Sequence, residues 1–327
     1  MQSTTWSHKN VNYLVTGGAG FIGTNIVQEL IHRGERVRVM DNFSTGKREN
    51  LSEFEGLVDL FEGDVRSYHI VREAVDGIDV VLHQAALPSV PRSIRDPITT
   101  NEVNVVGTLN VLQAARDAGV KRVVFASSSS VYGDNPELPK RETLMPSPLS
   151  PYAVSKLAGE QYCLAFSKIY KMETICLRYF NVFGPRQDPT SAYAAVFPRF
   201  ITSAAAGQDL VIYGDGEQSR DFTYVANVVD ANIRASVADC PPGTVMNIAC
   251  GQTYSLNNLV KQLGIILGKQ IKVRHDSPRP GDVLHSLASI DRARQLLGYE
   301  PKIAMPEGLQ RTVAWYREGR TSSGRNA

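Results

Sequence analysis

Tyr152 and Lys156 carry the clearest chemistry in the chain. They stand four residues apart in Ser150-Pro-Tyr-Ala-Val-Ser-Lys156, and on a helix that spacing sets a phenol beside an ammonium. The cation favours the phenolate, so it is expected to draw the tyrosine down from its ordinary value of about 10. Upstream, Ser127, Ser128, Ser129 and Ser130 follow the apolar run Arg122–Ala126. Ligands of open parallel sheets sit beyond the carboxyl ends of strands, which places these hydroxyls where a substrate would lie. Hydroxyl, phenol and ammonium together can take a proton from a carbinol, provided a second group accepts the hydride.

That second group has its own landmark. Gly17-Gly-Ala-Gly20-Phe21-Ile22-Gly23 follows the apolar run Val11–Thr16 directly. Such a turn needs positive φ at a glycine, lets backbone approach a pyrophosphate, and opens a helix whose amide dipole meets the phosphate charge. Asp41 ends the next strand, 18 residues past Gly23, where a carboxylate can accept from adenosine ribose hydroxyls and repel a 2′-phosphate. Asn42 and Phe43 beside it offer no cation, so NAD is favoured over NADP. Asp64 and Val65, after the third strand, are placed to hold the adenine edge.

The elements that must position these groups alternate. Strands are predicted at Val11–Thr16, Val37–Met40, Val58–Glu62, Val80–His83, Arg122–Ser127 and Thr174–Leu177, with helices over Asn104–Ala118 and Tyr152–Tyr170 among those between them. This rhythm implies an α/β fold built on a doubly wound parallel sheet of the Rossmann type. After Arg178 it breaks into Pro- and Gly-punctuated pieces, with helices around Ser255–Leu267 and Pro306–Tyr316. A cofactor domain over 1–180, joined by segments near 220–250, and a smaller, discontinuous C-terminal α/β substrate domain over 181–327 are expected.

Bulk properties exclude several classes. Across 327 residues, 35 Lys and Arg against 33 Asp and Glu leave a formal +2, which gives no reason to expect nucleic acid or an anionic membrane as partner. No apolar run approaches the roughly 18 residues a membrane span needs. Met1–Asn10 holds no apolar core, so no secretory signal is expected there. Cys163, Cys176, Cys240 and Cys250 lack CxxC spacing, which points to reduced, packed thiols in a cytoplasm and to no metal site.

Further motifs complete a family pattern: Asp41-Asn-Phe-Ser-Thr-Gly46, His83-Gln-Ala-Ala86, Tyr152-Ala-Val-Ser-Lys156, Arg178-Tyr-Phe-Asn-Val-Phe-Gly-Pro185 and Arg220-Asp-Phe-Thr-Tyr224. With the glycine turn and Leu296-Leu-Gly-Tyr299 they span nearly the whole chain. The chain resembles the extended short-chain dehydrogenase/reductase family, and within it the nucleotide-sugar 4-epimerases of the UDP-glucose and UDP-N-acetylglucosamine type. The resemblance implies NAD-linked oxidation at sugar C4, turnover of the bound 4-keto sugar, and reduction on the other face. Tyr152 would be the base, Ser128 would hydrogen-bond the same oxygen, and Lys156 would hold the nicotinamide ribose.

By the same resemblance Ser44, Thr45, Gly46, Gln84, Ala85, Ala86, Asn104 and Tyr179 would line the cofactor. Ser89, Ser128, Ser129, Ser130, Asn181, Arg220, Arg279, Asp282 and Ser286 would meet the UDP-sugar. Members that dehydrate carry an Asp-Glu pair just after the serine-equivalent position, and related decarboxylases a Glu. Here Ser129, Ser130 and Val131 follow, so no acid is at hand to protonate a leaving hydroxyl. Ser286 corresponds to a gate over the sugar 2-substituent, and its small size favours UDP-N-acetylglucosamine, with UDP-glucose also turned over. The serine run, with Arg92 or Arg186 facing a 6-carboxylate, leaves UDP-glucuronate or UDP-N-acetylglucosaminuronate as the alternative. A non-catalytic NAD-binding sensor on the same fold is the alternative of another class; retention of both Tyr152 and Lys156 argues against it. A homodimer is expected, through a four-helix bundle of the Asn104 and Tyr152 helices, with Val111, Leu112, Leu164 and Phe166 divided between core and interface.

Overall fold

The computed structural model describes residues 11–189, 196–277 and 284–323. β1 (Asn12–Thr16) enters α1 (Phe21–His32) through the glycine turn, and β2 (Arg36–Asp41), β3 (Asp59–Glu62), α2 (Tyr68–Ala74) and β4 (Val80–His83) continue the alternation. Three helices, α3 (Val90–Arg95), α4 (Pro97–Asn101) and α5 (Gly107–Asp117), lead to β5 (Arg122–Ser128), α6 (Pro151–Tyr170) and β6 (Glu173–Tyr179). Short pieces follow: β7 (Val182–Phe183), α7 (Val196–Ala205), β8 (Leu210–Tyr213), β9 (Ser219–Arg220) and β10 (Thr223–Tyr224). Next come α8 (Val225–Val237) and β11 (Thr244–Ile248). The chain closes with β12 (Tyr254–Ser255), α9 (Leu256–Leu267), β13 (Val273–Asp276), β14 (His285–Ser286), α10 (Asp291–Leu297) and α11 (Met305–Ser323).

Seven strands form one parallel sheet in the order β11-β6-β5-β4-β1-β2-β3, the doubly wound arrangement that the alternation predicts. All but the exposed edge strand β3 are largely buried on both faces, so their apolar residues divide by period two. Tyr13, Val15, Val80, Leu82 and Val124 face a core that α1 and α8 complete. Leu14, Val81, Val123 and Phe125 face a second core with α5 and α6. The strand order reverses between β1 and β4, and crevices at such a switch point are where dinucleotides sit. The glycine turn after β1 meets the loop after β4 there: a Cβ added at Gly17 would lie 2.8 Å from Ala85 Cα.

The predicted Asn104–Ala118 helix differs in detail. Glu102–Val106 forms a wide π-helical turn, and the regular α5 starts only at Gly107. Gly107 lets Val65 press in, since a Cβ there would lie 2.6 Å from Val65 Cγ2. Val111, Leu112 and Phe166 are buried in the core beneath α5 and α6, so they are not interface residues. They point inward because the sheet face needs cover. The apolar residues exposed on this side include Ile94, Ile98, Val106, Leu149, Val154 and Ile169.

Beyond Asn181, β11 returns to the large sheet, and the rest is pieced together from small sheets: β12-β9-β14, β13-β8 and β10-β7. None is long enough to stand alone, and packing supports them, as where Phe183 stacks on Phe197 at 3.9 Å between ring centroids. Among the described residues no helix is long and apolar enough to cross a membrane.

Candidate active site

The glycine turn is bare backbone by necessity. Gly17 adopts φ +69°, and a Cβ at Gly23 would fall 2.1 Å from the Gly17 carbonyl oxygen. Gly20 caps α1, whose first turn carries no acid, so its positive end stays open to an anion. Phe21 and Ile22 begin the helix half-buried, packed against the core beneath it. At the end of β2, Asp41 accepts from the amides of Ala19 (3.0 Å) and Phe43 (2.8 Å). Burial pushes this carboxyl up, against the pull of those backbone N–H groups.

The Asn42–Gly46 loop curls back over the turn. Gly46 is close enough that a Cβ would press on Asp41 Oδ2 at 2.9 Å, while Ser44 and Thr45 stay exposed. Asn42 donates to Asp64 (2.9 Å), whose carboxyl Arg66 holds down at about 2. Val65 is buried, so only its backbone faces the crevice. Arg48 lies over the Phe43 ring and pairs with Glu62, a cation that the motif alone does not reveal. A cradle that any side chain would fill, an open helix start and a carboxylate at the ribose position fit NAD.

On the other side of the switch point, three residues form a polar knot. Tyr179 donates toward Gln84 and Asn232, and Gln84 donates to Asn232 at 3.1 Å. Asn232, on α8, sits 148 residues from Gln84 and is invisible to motif reading. Ala85 donates to Thr16 Oγ1, and Ala86 is half-buried beside it. Asn104 is a brace: it accepts from Leu87 N at 2.7 Å and donates to Leu87 O and to Ser155 Oγ. It ties the loop after β4 to the helix that carries Lys156.

Ser128, Tyr152 and Lys156 come together where β5 ends and α6 begins. Ser150 caps α6 by accepting from Ala153 N, with Pro151 in its first turn. Ser128 Oγ accepts from Ser130 N at 3.2 Å, which leaves its own proton free to turn outward. Ser129 and Ser130 are half-buried in the turn that follows, and the Ser130 hydroxyl has no hydrogen-bond partner among the described residues. Burial pushes the Tyr152 phenol above its ordinary value, and the Ser128 hydroxyl pulls the other way. This corrects the expected lowering by Lys156. The lysine donates to the Ala126 carbonyl at 2.8 Å, and burial brings its ammonium down to about 8. In both groups desolvation is the largest cause of the shift.

A second network lies directly behind. Glu160, one turn past Lys156 on the same helix face, accepts from Ser127 Oγ and from both Nε (2.8 Å) and Nη2 (2.7 Å) of Arg178. Glu160 and Arg178 are both buried. Glu160 is legible as the next i+4 position after Tyr152 and Lys156, yet motif reading passes it over.

Beyond β6, Asn181 takes φ 36° and donates to the Asp221 carbonyl at 3.1 Å. Arg220 and Ser286 are register partners across β9 and β14, so two residues 66 apart in sequence share one edge. Ser89, with φ 100°, caps α3 by accepting from Arg92 N. Arg279 and Asp282 lie outside the described residues. The Arg186 guanidinium bonds Glu53, Gln28 and Asn25. Those partners belong to α1 and the turn after β2.

The NAD dependent epimerase/dehydratase family matches residues 13–249 of the chain. The chain belongs to that family. It is an NAD-dependent enzyme. It is 38% identical over 311 residues to the UDP-glucose 4-epimerase of Mycolicibacterium smegmatis, covering 93% of this chain and 98% of that one. Among solved structures it is similar to the UDP-N-acetylglucosamine 4-epimerase from Methanobrevibacter ruminantium in complex with UDP-N-acetylmuramic acid. There the TM-score is 0.91 at 40% identity, over 95% of this chain and 99% of that one. A UDP-glucuronic acid 4-epimerase from Bacillus cereus, in complex with UDP-glucuronic acid and NAD, gives 0.85 at 31% identity over 94% and 99%.

Proposed function

We propose that the enzyme epimerises UDP-N-acetylglucosamine at C4, with UDP-glucose as a second substrate. NAD is held by the Gly17–Gly23 turn, Asp41 and Lys156, and when bound it supplies a reversible hydride acceptor for the sugar C4. Tyr152 Oη takes the 4-hydroxyl proton as that carbon is oxidised, and Ser128 Oγ holds the same oxygen. The Lys156 ammonium stabilises the phenolate through charge, and at neutral pH it stays protonated because its value lies at about 8. Asn181, Arg220, Arg279 and Asp282 keep the UDP moiety anchored while the 4-keto sugar turns over, the arginines on the diphosphate. Tyr152 then returns the proton.

Ser286 carries the sugar reading. It is half-buried and paired with Arg220, so a small side chain stands beside the arginine assigned to the diphosphate and leaves room for an acetamido group. The guanidinium of Arg186 is committed to Glu53, Gln28 and Asn25, which weakens the uronate alternative. Incubating the protein with UDP-N-acetylglucosamine, UDP-glucose and UDP-glucuronate, with products resolved by proton NMR, tests the order. UDP-glucuronate as the best substrate would overturn it.

The active form is a homodimer in which α5 and α6 pair with their twofold mates. The exposed apolar residues Ile98, Val106, Leu149 and Val154 on this side support that arrangement. Light scattering at micromolar concentration tests it, and a monomer mass would refute it.

A further inference from the structure

Asp221 is fully buried and, among the described residues, what bonds its carboxylate is backbone N–H. Oδ1 accepts from Cys250 N at 2.9 Å; Oδ2 accepts from Gly251 N at 2.9 Å and Ala288 N at 3.3 Å. Gln252 N contributes as well. Its own carbonyl holds Asn181 Nδ2, and its neighbour Arg220 pairs in register with Ser286 and with Tyr254. One carboxylate thus gathers the loop after β11, the segment after β14, and the strand that carries Arg220. Those segments come from both halves of the molecule.

We propose that Asp221 is a positioning residue for the substrate pocket, a latch that sets Asn181, Arg220 and Ser286 against one another only while it is ionised. The proposal rests on the assignment of those three residues to the UDP-sugar. A carboxylate is an acceptor at both oxygens. Once protonated, or replaced by an amide, it presents a donor to one of the N–H groups, and that loop amide loses its partner.

Burial pushes this carboxyl up to about 6, so the latch opens within an accessible pH range. The folded value lies above the ordinary one of 3.8, so ionisation inside the fold costs stability as pH rises through the interval between them. Acid therefore does not unfold the protein through Asp221; it loosens the pocket. The titratable groups that face it are Cys250, Tyr254 and Tyr299, all pushed upward by burial first and by its charge second or third. None gains or loses a proton near pH 6. His285, next to Ser286 and bonded to Ser219 Oγ, is the group on a neighbouring strand that the test must separate.

UDP-glucose is titrated calorimetrically into NAD-loaded protein in a Tyr152→Phe background, which is meant to bind without turnover. Its diphosphate, substituted at both ends, has no ionisation in this range. The expected result is that affinity falls by up to about 10-fold between pH 7.5 and 5.0, the ceiling that a single proton taken up at about pH 6 sets. Asp221→Asn is expected to bind about 10- to 100-fold more weakly at pH 7.5, with no pH step and with NAD content unchanged. His285→Asn should keep the step. Affinity that stays flat with pH, a step that vanishes in His285→Asn, or Asp221→Asn binding like its parent would each overturn the latch. The first of these needs no variant at position 221. Arg220→Ala separates the two readings: if it binds UDP-glucose normally, the pocket assignment is wrong, whereas weakened binding together with a flat pH profile rejects the latch alone.

Discussion

The two halves of this enzyme are held together by different means. In the half proposed to hold the cofactor, seven parallel strands share a continuous ladder, and the proposed reactive groups sit at strand ends and helix starts that the sheet itself positions. In the half proposed for the substrate the sheets have two or three strands, several only two residues long, and single side chains such as Asp221 are proposed to take over the positioning. A regular scaffold spreads its geometry over a continuous ladder of backbone hydrogen bonds. A pieced one concentrates its geometry in a few polar groups, so a conservative change there is expected to alter binding before it alters the fold.

The largest effect is expected in the regular half, at the reacting atom. Tyr152→Phe removes the transferable proton and leaves the ring in place, so turnover should fall on the order of 10²–10⁴-fold while NAD retention and nucleotide affinity persist. Turnover near the wild-type rate would remove Tyr152 from the mechanism.

Next in size is the support behind it. Glu160→Gln leaves the Arg178 guanidinium buried with its counter-charge gone. Breaking a buried pair from one side costs about 3–5 kcal/mol, which urea unfolding should detect. A loss below about 1 kcal/mol would show that Arg178 finds compensation, as surface pairs do. Because Glu160 also holds Ser127 Oγ next to Ser128, the surviving folded protein should lose activity in the same variant.

Motif reading serves the two halves unequally, and the reason is physical. Gly17–Gly23, Asp41, Tyr152 and Lys156 each act within one strand–turn–helix unit, so sequence spacing fixes their relation in space. The doubly wound sheet follows from the same local alternation. Asn232 meets Gln84 across 148 residues and Cys250 meets Asp221 across 29, and no local period encodes such pairings. The direction of the phenol pKa eludes the motif for a related reason: charge proximity is visible in Tyr-x-x-x-Lys, whereas burial, its largest cause, is a property of the folded whole. Val111 and Leu112 read equally well as core or interface until the sheet face they cover is known.

The substrate half offers a smaller and more selective test. Ser286→Tyr should suppress UDP-N-acetylglucosamine turnover relative to UDP-glucose, because a phenol ring would fill the volume assigned to the acetamido group. Overpacking costs about 1–3 kcal/mol, roughly a 5- to 150-fold change in preference. Equal losses for both sugars would make Ser286 a structural residue of the β9–β14 edge and remove the main support for the N-acetyl reading.

The smallest effect belongs to a residue that crosses the comparison. Arg186 departs from the substrate half with φ 69° and grips Glu53, Gln28 and Asn25 on the cofactor half. Its guanidinium is largely buried, but Glu53 is half exposed, at 11% and 51% of side-chain surface respectively, so solvent screens the pair. Arg186→Ala is therefore expected to lower stability by about 1 kcal/mol or less and to leave the ratio of UDP-glucuronate to UDP-glucose turnover unchanged. A selective loss of UDP-glucuronate turnover would mean that the arginine swings toward a 6-carboxylate during catalysis. In that case the contact between the halves would be a switch, and the division between a regular and a pieced half would describe only the resting enzyme.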